Sequence, residues 1–310
     1  MHPAFSVLFL TTLLGAGQGL FLALFAAEVA ARLNVGPAPG PGFLVAGGAV
    51  ALVLTGLGLV ASIFHIGHPE RGFRALSRWR TSWLSRELVA LPLFMAGLFG
   101  WTVAQLLAPQ WTLALGTLTT VVCVALFVCT AMIYACLRLL QEWATPLTPV
   151  NYLLLGCASG ATLAAACAGI ARSPLTGAFV TAALALTAAG AITRIAALRR
   201  NRALRPRSTL QSAIGIPHPK IRQTAQGLMG GSFNTREFFH GATPQKMKAI
   251  KWGFLVAAFA LPLALLVLAG DSPAMLVIAA IVQYAGLLAE RWYFFADANH
   301  PQNLYYQAIS

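Results

Sequence analysis

The sequence predicts an all-α fold, a polytopic membrane helix bundle of eight transmembrane helices with both termini in the cytoplasm. Of its 310 residues, 58% are hydrophobic and 9% are charged, whereas a soluble domain carries roughly 25% charged residues. The apolar residues fall into eight stretches, each near the roughly 20 residues that one helical crossing of a bilayer needs. The connections between these stretches must alternate between the two faces of the membrane, and the positive charge lies almost entirely on one face. Together these observations exclude a water-soluble globular protein.

Each apolar stretch predicts one helix. The stretches are Phe5–Ala31, Gly42–Phe64, Leu88–Leu107, Trp111–Leu139, Val150–Ile170, Leu175–Leu198, Ile250–Ala269 and Ala274–Phe295. Because backbone amides and carbonyls in lipid must hydrogen-bond within their own segment, we expect helices, and a β-barrel would show short alternating segments instead. The first stretch is long enough to span a bilayer and follows no basic segment, so we do not expect a cleaved signal peptide. Residues 1–310 are predicted to form a single integral membrane domain.

The connections between the stretches are unequal in length. Very short turns are marked by Pro109, Arg172–Pro174 and Asp271–Pro273, and residues 33–41 form a Pro/Gly linker. The segment 66–87 is longer and rich in arginine. The segment 199–249 is predicted to be a large cytoplasmic loop, since its glycines and prolines exclude one long helix. Its aromatic residues favour an ordered docking loop, and these are Phe233, Phe238 and Phe239.

The distribution of lysine and arginine predicts the orientation. Nineteen of the 21 basic residues lie on the side of segments 66–87 and 199–249, including Arg138 and Arg194, which are expected at helix ends. Only Arg32 and Arg172 lie on the other side. The positive-inside rule therefore assigns the basic side and both termini to the cytoplasm of a cell with a cytoplasmic (inner) membrane. A net charge of +13 is also typical of proteins that bind nucleic acid. The basic residues here are dispersed between apolar runs and do not form one basic surface, so no nucleic-acid partner is expected.

The cysteines and histidines predict no metal centre within this protein. All five cysteines fall inside apolar runs and no CxxC motif occurs, so we expect packing rather than zinc, iron–sulfur or disulfide chemistry. Of the six histidines, His65 alone falls near the end of a stretch. Since a membrane haem usually needs two axial histidines within facing helices, no haem is expected.

The densest group of polar residues runs from Ser62 to Glu87. His65 is expected at the cytoplasmic end of the second helix and Glu87 at the start of the third. Helices joined by short connections are usually antiparallel neighbours, so both side chains could face one pocket. Such a pocket suits a quinone, an apolar ring with two carbonyls whose reduction moves two protons that a histidine and a carboxylate can exchange.

Simpler interpretations of these residues remain open. His65 could cap the end of its helix, where a histidine is favourable. Ser85 could cap the third helix, with Glu87 in its first turn complementing the helix dipole. The arginines of the segment could act as topology signals alone.

A second group of polar residues closes the last stretch. Glu290 and Arg291 are sequence neighbours that point roughly 100° apart on a helix, so they need not pair. They could join the same pocket as intramembrane ionisable residues. Alternatively, they could accompany Trp292 and Tyr293 in an interfacial aromatic belt.

Two other functional classes compete with a quinone-reactive protein. A secondary transporter would favour inverted repeats and broken helices that meet at the middle of the membrane, whereas the charges here gather at one face. A purely structural anchor would differ in binding no quinone.

Four segments carry a resemblance to a known family: SIFHIGHP at 62–69, RTSWLSRE at 80–87, GSFNTREFFHG at 231–241 and ERWYFFA at 290–296. With these segments, its length and its eight stretches, the protein resembles the membrane anchor subunits of the dimethyl sulfoxide reductase type, the DmsC family. The resemblance implies a haem-free subunit without a catalytic centre of its own, which exchanges electrons with ubiquinone or menaquinone. It also implies two partners, an iron–sulfur electron-transfer subunit with 4Fe–4S clusters and a molybdopterin catalytic subunit. The excess of basic residues on the cytoplasmic side favours that face for them.

The resemblance also implies site residues. In this family, a histidine at the position of His65 and a glutamate at that of Glu87 are associated with quinone binding. Around this pair we expect the other members of the quinone site or its entrance, which are Arg71, Arg80, Trp83, Ser85, Glu290 and Arg291. Within the family, the sequence is most similar to anchors of quinone-reducing sulfite dehydrogenases, and the alternative is the anchor of a reductase that oxidises quinol.

Overall fold

A computed structural model describes residues 1–64, 73–222, 224, 238–270, 272–301 and 303. Within them, eight helices are long and apolar enough to cross a membrane, and no strand occurs in these ranges. The helices are α1 Phe5–Arg32, α2 Pro41–Ile63, α3 Trp83–Leu107, α4 Thr112–Ala135, α5 Leu147–Ile170, α6 Thr176–Arg202, α7 Pro244–Leu268 and α8 Pro273–Ala296. Short helices at Phe73–Leu76, Pro109–Trp111 and Leu210–Ile214 lie in the connections. The predicted all-α bundle of eight spans is confirmed.

The start of α3 differs from the prediction. The helix begins at Trp83 rather than at Leu88, because the hydroxyl of Ser82 accepts a hydrogen bond from the backbone N–H of Ser85 at 3.4 Å. Ser82 is therefore the N-cap. The expectation that Ser85 caps this helix was wrong, and Glu87 lies beyond the first turn rather than at the helix start.

The ends of α4 and α7 differ as well. α4 ends at Ala135, not Leu139, and the turns that follow allow the indole of Trp143 to donate to the carbonyl of Phe294 at 2.9 Å. α7 begins at Pro244 rather than at Ile250, since Thr243 caps it and proline suits the first helical position. Helix therefore extends past the apolar stretch that the sequence marks.

The eight helices form two groups of four. In the first group α1, α2, α3 and α4 pack on one another in turn, and α4 returns to α1. In the second group α5, α6, α7 and α8 repeat this arrangement, and α8 returns to α5. Short connections make successive helices antiparallel, as in an up-and-down bundle. α1 and α5 join the groups, so most of their residues are buried, while the other six helices are more exposed at the outer surface.

Glycines form the seam between the two groups. Gly15 and Gly19 of α1 face Gly156 and Gly160 of α5, each pair four residues apart. A Cβ added to Gly19 or Gly160 would overlap the backbone of the opposite helix. Small residues at this spacing allow two membrane helices to approach closely, which replaces the hydrophobic driving force that lipid removes.

The N-terminus and the end of α8 lie at the same end of the bundle. The N-terminal amine donates to the carbonyl of Ala298 at 2.9 Å, just beyond α8. The same end holds Arg199, Arg200 and Arg202 in the last turn of α6, and we call it the basic end. Its assignment to the cytoplasm stays a prediction from the positive-inside rule.

Residues 203–243 connect α6, which ends at Arg202, to α7, which begins at Pro244. The predicted cytoplasmic loop of residues 199–249 includes this connection and stays a prediction. Within it, the ring of Phe238 stacks on that of His300 at 3.8 Å between centroids, and Phe239 is buried. Phe233 lies outside the described residues, so the predicted docking role of the loop stays a prediction.

Candidate functional site

The described members of the predicted quinone site all lie at the basic end. Ser85 and Glu87 are buried in α3, Trp83 is half-buried at its start and Arg80 is exposed just before it. Glu290 and Arg291 are buried in the last turns of α8. His65 and Arg71 lie outside the described residues.

Glu87 is a buried carboxylate with one hydrogen-bond donor among the described residues. The hydroxyl of Thr130 in α4 donates to its Oε1 at 2.5 Å. Within the described part of the protein, no donor contacts Oε2. Glutamate is rarely buried unless paired, and an ionisable residue inside a membrane span is a functional candidate by default. The predicted role of Glu87 in quinone binding or proton exchange stays a prediction.

Arg86 organises the approach to α3, although its position in the sequence indicated only a topology signal. Its guanidinium donates to the carbonyls of Trp79 at 2.9 Å and Arg80 at 2.8 Å. It also lies over the ring of Trp83, 4.2 Å from the centroid. The side chain of Arg80 instead lies over Trp79, at 5.5 Å. Arg86 thus fixes Trp83, and Arg80 presents its charge to the outside.

Glu290 lies between two buried arginines. The Nε atom of Arg194 in α6 is 2.6 Å from Oε1 of Glu290, with side-chain exposures of 4% and 1%. The Nε atom of Arg291 is 3.8 Å from Oε2. The neighbours Glu290 and Arg291 thus do approach each other. Arg194, expected to mark the end of a helix, lies two turns before the end of α6 and is a buried ion-pair partner instead.

Two tyrosines occupy the space between the carboxylates. The guanidinium of Arg291 lies 3.9 Å from the ring centroid of Tyr152, a cation–π contact. Tyr134 stacks on Tyr152 at 5.9 Å and lies within electrostatic range of both Glu87 and Arg291. Tyr134 and Tyr152 therefore lie between Glu87 and the Glu290 group, and no direct contact joins Glu87 to Arg291 among the described residues.

An apolar groove of about 280 Å³ opens between α1, α7 and α8 at the basic end. Phe9, Ile250 and Trp292 line it, and Lys246 lies at its margin. The nearby ring of His240 is 6.2 Å from that of Trp292, and burial, aided by the N-terminal amine and His2, lowers the pKa of His240. None of the predicted quinone-binding residues that the structure describes lines this groove.

Comparison with known proteins agrees with the predicted resemblance. The family described as "DMSO reductase anchor subunit (DmsC)" matches residues 1–306. The sequence is 50% identical over 325 aligned positions to a sulfite dehydrogenase subunit of Allochromatium vinosum, with 100% of both proteins covered. It is 34% identical over 106 residues to a component of the anaerobic dimethyl sulfoxide reductase of Escherichia coli, covering 33% of this protein and 37% of that one. The protein therefore belongs to the DmsC family of membrane anchor subunits.

Proposed function

We propose that this DmsC-family anchor is the quinone-reactive subunit of a molybdenum and iron–sulfur oxidoreductase in the cytoplasmic membrane. It passes electrons between an iron–sulfur partner and the quinone pool. The observation that carries this proposal is the full-length similarity, at 50% identity, to a protein named as a subunit of a sulfite dehydrogenase. The catalytic partner then holds molybdopterin and oxidises sulfite, and electrons leave the complex by reducing quinone.

The residues at the basic end fit a quinone. A quinone bound there supplies two-electron, two-proton redox chemistry, and it needs polar contacts at the ends of an apolar slot. The buried carboxylate of Glu87 has one oxygen with no donor in the described part of the protein, and Ser85 is buried close by in sequence. His65, outside the described residues, supplies a second group that exchanges protons near neutral pH.

Each residue of the site has a role in this proposal. His65 exchanges a proton at a ring nitrogen, and Glu87 exchanges one at its carboxylate oxygens. Trp83, held by Arg86, forms the entrance together with Arg71 and Arg80. Glu290 and Arg291, together with Tyr152, form the inner wall of the quinone site.

Exposed arginines at the same end suit the iron–sulfur partner. Arg74, Arg78 and Arg80 are exposed between α2 and α3, and charged surface patches guide the encounter of protein partners. Electrons and protons then reach the site from one side of the membrane, so this step builds no membrane potential of its own.

The partial similarity to a dimethyl sulfoxide reductase component favours a second candidate function. In that case the partner reduces its substrate, and Glu87 and His65 accept protons released by quinol. Membership of an anchor family argues against the secondary transporter.

Purification of the complex with its natural partners in mild detergent tests the proposal. We expect molybdenum and iron to copurify, and sulfite to support quinone reduction. Metal without sulfite-linked activity but with quinol oxidation by a sulfoxide would replace the first candidate with the second. A metal-free preparation that contains no iron–sulfur subunit would overturn both.

A substitution at His65 tests the location of the site. His65→Ala should abolish sulfite-dependent quinone reduction, while sulfite oxidation with a soluble dye persists because the partner's centre is intact. Full quinone activity in His65→Ala would show that the site lies elsewhere, and the apolar groove beside Trp292 would be the next place to search.

A further inference from the structure

Several buried polar atoms at the basic end have no hydrogen-bond partner among the described residues. They include Nη2 of Arg194, Nε of Arg291 and Oε2 of Glu290. The 3.8 Å between Nε of Arg291 and Oε2 of Glu290 is an ion-pair distance that exceeds a hydrogen bond. Buried polar groups in native proteins are almost always satisfied, by protein or by ordered water. These atoms therefore indicate buried water.

Two small cavities adjoin these atoms. The first, of about 10 Å³, is lined by Glu142, Asn151, Arg194 and Glu290. The second, of about 20 Å³, is lined by polar residues that include Thr12, Gln18 and Thr130. Tyr152 and Arg291 line both cavities. Since a water molecule needs roughly 10–15 Å³ and two or more polar partners, each cavity suits about one water.

The cavities complete a series of polar groups from the surface to Glu87. Glu142 is half-buried and accepts a hydrogen bond from exposed Asn299 at 3.4 Å. It shares the first cavity with Glu290, and Tyr152 separates that cavity from the second. The second cavity reaches Thr130, whose hydroxyl donates to Glu87 at 2.5 Å.

Two buried arginines hold Glu290 at the first cavity. Nε of Arg194 lies 2.6 Å from its Oε1 atom and Nε of Arg291 lies 3.8 Å from its Oε2 atom. Its Oε2 atom can therefore accept a hydrogen bond from water in that cavity. The hydroxyls of Tyr152 and Thr130 can each accept one proton while donating another.

We propose that Glu142, Glu290, Tyr152 and Thr130, with water in the two cavities, form a proton relay from the surface of the basic end to Glu87. Each passage takes one proton from the aqueous side and delivers one to Glu87. Two passages match the two electrons that the iron–sulfur partner supplies for each quinone reduced. The destination of the protons rests on the proposed function, whereas the hydrated path is a property of this protein alone.

Radiolytic hydroxyl footprinting of the purified complex tests the hydrated path without reference to activity. Fixed internal waters generate radicals in place, so Tyr152 and Phe294 should be oxidised several-fold faster than Trp101 and Phe94. These controls are buried at least as deeply and line neither cavity. Protection of Tyr152 equal to that of Trp101 would overturn the relay.

Solvent isotope effects test proton delivery. Glu290→Gln should slow quinone reduction several-fold and enlarge its solvent deuterium isotope effect. Thr130→Val, a near-isosteric change at the other end of the path, should do the same. Dye-linked sulfite oxidation, which takes place on the partner subunit and bypasses the quinone site, is measured in both variants to show that the complex is assembled. Glu28→Gln, a buried carboxylate outside the path, is the matched control and should keep the wild-type isotope effect. If Glu290→Gln does not fold, Thr130→Val decides.

The two proposals fail in different ways. If the quinone does not bind near Glu87, Glu87→Gln keeps full quinone activity, while radicals from internal water still oxidise Tyr152 in the footprinting experiment. If the relay is wrong, Glu87→Gln loses quinone activity, but Glu290→Gln and Thr130→Val keep the wild-type rate and isotope effect.

Discussion

The two ends of the bundle each bury carboxylates, but they satisfy them to different degrees. At the end opposite the basic end, Glu28 of α1 is 5% exposed. Its two oxygens accept hydrogen bonds from Trp101 Nε1 at 2.9 Å, Gln105 Nε2 at 3.0 Å and the Thr112 hydroxyl, and Arg32 lies 3.8 Å away. At the basic end, Glu87 receives one hydroxyl donor and Glu290 keeps an oxygen without a hydrogen bond in the described residues.

We propose that this difference separates a structural carboxylate, Glu28, from carboxylates that exchange protons, Glu87 and Glu290. Glu28 links α1, α3 and α4 through donors that cannot rearrange without breaking the helix contacts. Fully satisfied networks of this kind rigidify a core. Among the described residues, Glu87 and Glu290 have remaining acceptor capacity, which the proposed proton exchange requires. All three carboxylates are buried, so the number of donors in the described part of the protein is what distinguishes Glu28 from Glu87 and Glu290.

The largest expected effect on stability is at the basic end. Arg194→Leu leaves Glu290 facing one distant arginine, and breaking a buried pair in this way costs about 3–5 kcal/mol. Thermal unfolding of the purified complex in detergent should show the loss. The double variant Arg194→Leu with Glu290→Leu should recover most of it, because no unpaired carboxylate remains. A double variant as unstable as the single one would contradict the ion pair.

Glu87→Gln should separate activity from stability. Loss of the exchangeable proton should lower quinone-linked turnover about 100-fold, the lower range for general acid–base groups. Thermal stability and dye-linked turnover should change little, because glutamine still accepts the hydrogen bond of Thr130. An unchanged quinone-linked rate would place Glu87 in the same structural class as Glu28.

Glu28→Gln should show the converse behaviour. The amide weakens several charge-assisted hydrogen bonds at once, so stability should fall by about 1–3 kcal/mol. Quinone-linked turnover per folded complex should match that of the wild type. A selective loss of turnover without loss of stability would remove the distinction between the two ends.

Thr112→Val is the smallest of these changes. It removes one of the donors of Glu28 and should cost about 1 kcal/mol of stability. The same substitution at Thr130 removes the described donor of Glu87, so it should cost at least as much stability and should in addition lower quinone-linked turnover. Melting curves and quinone assays on the two valine variants provide a matched comparison between the ends.

Much of the fold could be predicted from the sequence because lipid imposes simple requirements on length and polarity. Eight apolar stretches gave eight helices. Hydropathy marks only the part of a helix within lipid, and for this reason the starts of α3 and α7 were placed too late. The first turns of these helices, which begin at Trp83 and Pro244, carry polar residues. Their backbones form ordinary helical hydrogen bonds although they lie outside the apolar region.

The site was less predictable because its contacts join residues distant in sequence. Glu87 could be singled out as an ionisable residue in an apolar stretch. Arg194 met the same criterion, but its position near a basic segment favoured a topology role, and its partner Glu290 lies two helices later. Ser82 and Ser85 are equally good caps by residue type, and the backbone geometry selects the first.

The glycine seam has a consequence for biogenesis. α1 enters the membrane first. The helix that fits Gly15 and Gly19 is α5, and the ribosome has not yet made it when α1 to α4 are already inserted. Lipid must cover these glycines in the meantime, so the two groups of helices pack together late in assembly. We expect that two polypeptides divided between α4 and α5 would retain the surfaces needed to find each other within the bilayer.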